Sequence, residues 1–232
     1  MSAKLILALV ATLGLASSAT GAGGLTATEL AWLEAAVPVL DYAGEQGMPL
    51  DIVVQPQDSP GETPLGMAFI NGRCKLVLSM RGNPEAQAVL DRVDPGLRSV
   101  VVEALVAHEL GHCWRHLHHL WGTLPANVEV SSDFSRVSPE MAEMIRDMWQ
   151  TRREEGFADL VGLAWTLLHN PARYPEVHAW FVRLRAVQEV ETAAHDTRVW
   201  VRLAVDKGAF ATQLSIFERV NALWVTGLVA GL

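Results

Sequence analysis

"ALVAHELGHCWRHLHH", residues 104–119, puts five histidines within twelve positions, with Glu109 directly after the first. His108, Glu109 and His112 form an H-E-x-x-H pattern. On a helix, positions i and i+4 share a face, so both imidazoles can reach one ion. Glu109 lies beside them, where a carboxylate can take a proton from water held at that ion. The surrounding "VVVEALVAHELGHCW" is apolar and reads as helix throughout. Burying two histidines and a glutamate there is costly unless something pairs them. Gly111 costs stability inside a helix, so its presence implies a close approach to the backbone. The plain alternative is a core helix whose histidines are satisfied by hydrogen bonds.

A catalytic zinc takes three protein ligands and keeps one position open. Two third ligands can be drawn from this chain. His118 lies six residues after His112, the spacing of H-E-x-x-H-x-x-G-x-x-H, which resembles the metzincin peptidases. Arg115 stands where that pattern needs Gly, and Met141, Met144 and Met148 sit in a helical pattern instead of a tight turn. The second choice comes from "RREEGFADLVGLAW", residues 152–165. Glu155 and Asp159 stand at i and i+4, so Glu155 can face the metal while Asp159 meets the free N–H of a metal-binding histidine. Glu154, about 100° round the helix, reads as a rim charge. His116 is one turn past His112 and too far to share a metal with His108. With His118 and His119 it reads as polar surface or as support for the ligands. The preferred set is His108, His112 and Glu155.

Working outward, residues 1–22 read as a signal peptide: Lys4 is the only charge before Glu29, Leu5 to Leu15 is apolar, and small residues follow. Cleavage is expected after Ala19 or Ala22, giving an exported chain, periplasmic or secreted, with no stable membrane insertion; an uncleaved anchor is the alternative. The remaining 23–232 reads as one domain. The net charge of −8, with no basic cluster, argues against nucleic acid or an anionic membrane as partner. Cys74 and Cys113 are the two cysteines, and an exported pair is free to bridge.

Thr26 and Glu29 predict a capped helix containing Pro38. Strands are expected at "LDIVVQ", "GMAFING" and "CKLVLSM", the last two joined by an Asn71–Gly72 hairpin. A short helix at "NPEAQAVLDRV" precedes the motif helix. Ser138–Pro139 starts a long one that Asn170–Pro171 stops. Further helices are expected near 175–191, 196–207 and 209–230. This is an α+β chain: a small antiparallel sheet, an active-site helix and a mostly helical C-terminal body.

HELGH followed by E-x-x-x-D on a later helix resembles the gluzincin metallopeptidases, and more narrowly soluble relatives of the CAAX-prenyl-protease class. "AFINGRCKLVLS" is similar to their strand region before the active-site helix. "AAHDTRVW" resembles their His-Pro motif followed by Arg, with Asp196 in place of Pro. The resemblance implies a zincin-like fold, one Zn²⁺ and hydrolysis of protein or peptide substrates by a zinc-activated water. It makes Glu109 the general base, with His195 or Arg198 as oxyanion or substrate donors. It also implies that Cys74 could lie near Cys113, and that the "CKLVLSM" strand binds extended substrate. A cell-wall peptide amidase and a non-catalytic zinc-stabilised binding module stay open as alternatives.

Overall fold

Asn71 and Gly72 both adopt positive φ, 53° and 74°, as a two-residue type I′ turn requires. In the computed structural model, which describes residues 24–56, 63–126, 128, 135–186, 194–211 and 214–230, this turn joins β2 (Leu65–Ile70) to β3 (Arg73–Arg81). The two strands are antiparallel, closing at Ile70 opposite Arg73. β1 (Leu50–Pro56) pairs with the other edge of β3 and runs parallel to it, giving the order β1-β3-β2. The expected antiparallel sheet is therefore a mixed one. A hairpin turn fixes only the strands it joins, and no local residue dictates the sense of the longer-range β1 pairing.

The chain divides into two compact units, Met1–Glu103 and Ala104–Leu232. In the first, α1 (Ala27–Glu45) starts with the capping box from Thr26 to Glu29 and carries Pro38 inside it. Its buried Trp32, Leu33, Ala36 and Val39 form a core with Leu76 and Leu78 of β3. Buried Glu29 takes the guanidinium of Arg81 at 3.0 Å. α2 (Pro84–Asp91) is capped by Asn83, and a 3-10 turn at Pro95–Leu97 leads into α3 (Arg98–Leu117).

α3 continues through the second unit, where α4 runs from Pro139 to His169, the span its Ser138–Pro139 start and Asn170–Pro171 stop predict. α5 (Tyr174–Ala186), α6 (Arg198–Leu203), α7 (Ile216–Arg219) and α8 (Asn221–Ala230) follow. The helix expected across 209–230 is broken, because Ser215 and Glu218 make a fresh capping box. That across 196–207 is confined to α6, with a separate 3-10 turn at Lys207–Ala209 capped by Asp206.

Neither Cys74 nor Cys113 is a free thiol; both are disulfide-bonded. The expected signal segment 1–22 lies outside the described residues. Among those described, no helix is long and apolar enough to cross a membrane.

Candidate metal centre

The site is assembled where α3 meets α4. A Cβ on Gly111 would lie 3.1 Å from the Ala158 Cα, and one on Gly162 would lie 2.6 Å from the Ala104 carbonyl oxygen. At Gly162 a side chain would force the backbones apart, and at Gly111 it would crowd α4 by a few tenths of an ångström. That explains the cost accepted at Gly111. The contact sets His108 and His112 opposite Glu155 and Asp159. From Glu154 to Thr166 every residue of α4 is buried except Glu155, which keeps partial access.

His108, His112 and Glu155 present ligand atoms that all lie within 4.8 Å of one another. The two Nε2 atoms are 3.1 Å apart, and the Glu155 oxygens stand 3.5 Å from His108 and 3.3 Å from His112. Asp159 Oδ1 lies 2.9 Å from His108 Nδ1. When that ring is neutral its proton sits on Nδ1, and Nε2 points a lone pair into the cluster. Nδ1 of His112 is buried with no hydrogen-bond partner among the described residues, while its ring meets Trp121 edge-on at 5.5 Å.

Two residues to which the sequence assigned no role complete the site. Arg185 of α5 donates to both Asp159 oxygens at 2.8 and 2.6 Å and reaches Glu155 at 3.5 Å. Thr197 donates its hydroxyl to Asp159 at 2.5 Å. Arg185 had a readable signal: it continues the buried stripe Val177–Phe181 at i+4 spacing, and a cation on such a stripe needs an anion. Thr197 had none.

Burial pushes the Glu155 carboxyl up, but the hydrogen bond from His112 and the charges of His108, His112 and Arg185 outweigh it and hold it at about 2. Asp159 is likewise driven up by burial and then held well below the usual range by Arg185 and His108. Glu109 goes the other way. Burial raises it and the two histidines only partly offset this. Three carboxyls, Glu109, Glu155 and Asp159, stand against the one guanidinium of Arg185; burial would lower the His108 imidazole, but these carboxyls raise it. A cation matches both that excess of carboxyls and the converging donor atoms, so the residues present fit a metal.

His195 stands at the edge, half exposed, with Nε2 3.7 Å from Glu155. Arg198 is turned instead to Asp196, through Nε at 2.8 Å and Nη2 at 2.9 Å. The same Asp196 is held by Arg152, whose Nε donates to its carbonyl at 2.6 Å. The residue standing in place of the motif proline is thus an anchor for the segment that carries His195.

His118 is not part of the cluster. It is stacked on Trp114, with Nδ1 2.8 Å from the Trp114 carbonyl. His116 stacks on Trp121, and His119 takes φ 55° where α3 stops. Glu154, read as a rim charge, is buried. It accepts both arms of Arg115 at 2.5 and 2.9 Å and the Gly122 N–H at 2.9 Å. Arg115 also donates to the carbonyls of Leu120 and Thr123 and lies over the rings of Phe157 and Trp224. The 100° offset from Glu155 was right, but a partner 39 residues away turns that side inward.

No family model, curated protein or solved structure matches this chain.

Proposed function

We propose that this chain is an exported zinc metalloendopeptidase of gluzincin type, with His108, His112 and Glu155 holding the metal. The observation that carries the reading is the convergence of those three donors, with ligand atoms within 4.8 Å of one another, beside the buried carboxyls of Glu109 and Asp159. When bound, zinc would polarise a peptide carbonyl and lower the pKa of a water. Glu109 would take the proton from that water and later give it to the leaving amine, a task suited to a carboxylate whose proton affinity burial has raised. Asp159, gripped by Arg185 and Thr197, would hold the His108 ring in one tautomer and orientation. His195 is the better placed donor for a developing oxyanion, since Arg198 is occupied by Asp196. Export is part of the same proposal. It is supported by the apolar N-terminal run and by a disulfide, which persists in oxidising compartments.

Zinc content of wild type, Glu155→Ala and His118→Ala tests the ligand set. We expect close to one zinc per chain in wild type and in His118→Ala, and loss of most of it in Glu155→Ala. The opposite pattern would move the chain to the metzincin arrangement. Turnover of casein against peptidoglycan fragments separates endopeptidase from amidase.

A further inference from the structure

α4 stands largely clear of the core before it reaches the site. Between Pro139 and Arg153 only Ala142 is buried, while Met141 and Met144 are 44% and 57% exposed. At about 100° per residue, Met141, Met144, Met148 and Glu155 fall within roughly 60° of one another. The helix face that turns Glu155 to the histidines therefore continues toward the N-terminus as a line of methionines. Glu140, Glu143 and Asp147 form a second line about 100° away. All three are exposed, and none has an ion pair among the described residues.

We infer that this face of α4, the Met141–Met144–Met148 line with its acidic border, docks an apolar, basic polypeptide segment of the substrate. The inference rests on the peptidase reading only in calling that segment a substrate. Methionine is unbranched and polarisable, so the line can follow varied apolar side chains. The acids select for Lys and Arg beside them. They also disfavour the two other occupants of an apolar face: an anionic lipid surface would be repelled, and a second copy related by a twofold would bring like charges together. Met144 and Met141 lie about 16 and 21 Å along the helix from Glu155, at about 1.5 Å per residue. An extended chain at about 3.4 Å per residue covers that in roughly five or six residues. The segment should thus lie five or six residues from the bond that is cut.

The test uses the full chain with Glu109→Gln, so that bound peptide is not cleaved. A short fluorescent peptide of Leu, Ala and Lys is titrated by anisotropy, beside its counterpart with Glu for every Lys, and beside phosphatidylcholine and phosphatidylglycerol vesicles. The Lys peptide should bind, more weakly at high salt, and the Glu peptide should not. Met141→Ser with Met144→Ser should weaken binding by about tenfold or more, the scale of an interface anchor. Glu143→Lys with Asp147→Lys should transfer the preference to the Glu peptide. Circular dichroism checks that these exposed changes leave the fold intact. An unchanged Kd for the Lys peptide in both double variants would overturn the inference. So would vesicle binding in place of peptide binding, or a dimer that the methionine changes dissociate. Binding needs no turnover, so peptide capture by a wild type that cleaves nothing would sink the peptidase reading and leave the docking surface standing.

Discussion

Glu154 and Glu155 are neighbours on α4, and each meets a buried guanidinium, yet the two surroundings differ in what they leave open. Around Glu154 the charge is closed: Arg115 neutralises it, the Gly122 N–H takes a further lone pair, and Nη2 of Arg115 also reaches the Leu120 and Thr123 carbonyls. Around Glu155 it does not close. Arg185 is shared with Asp159, Glu109 adds another carboxyl, and two imidazoles aim at the same point. A closed pair ends a helix and pins the loop after it. An open one asks for a cation. Burial of charge does not by itself separate structure from chemistry; the residual charge and the unused lone pairs do.

The sharpest way to break this contrast is at the open site. Glu109→Gln keeps size and hydrogen bonding but removes the base. Peptidase activity should fall by about 10²–10⁴-fold, with zinc content and melting temperature near wild type. Equal cleavage by both proteins, or by neither with zinc bound, would favour the binding-module reading. The closed pair should respond in the other currency. Glu154→Ala strands a buried Arg115 and should cost about 3–5 kcal/mol in denaturant unfolding, while the zinc sites that remain folded stay filled. A change within error would mean that Arg115 finds water there. Smallest is Asp159→Asn, which keeps the shape but loses the charge facing His108 and Arg185. It should weaken zinc affinity by roughly 10–100-fold in a chelator competition; no change in affinity would remove Asp159 from the site.

Much of the site was legible because helical spacing is local. His108 and His112, or Glu155 and Asp159, share a face wherever the helix lies, and the caps at Ser138 and Asn170 bound α4 as read. What escaped depended on residues far apart in the chain. The parallel partner of β1 has no nearby signal, and Glu154 looked peripheral until Arg115 came opposite. Arg198 looked like a free donor until Asp196 claimed it. The stacking of His118 on Trp114 also follows from the local run of α3. Spacing alone allowed a ligand there, because it reports which residues share a sector and not what occupies their rotamers.

The bare contact of Gly111 with Ala158 also has a mechanical meaning. It acts as a fulcrum with very short arms: Glu155 is three residues from Ala158, about 4.5 Å along the axis, and Asp159 one residue, about 1.5 Å. Rocking α4 on α3 by about 5° at that point would displace the Glu155 backbone by only about 0.4 Å at that rise per residue. Motion of the long exposed end of the helix, where Met141 lies, would sweep several times farther. Large movements there would reach the ligands already damped.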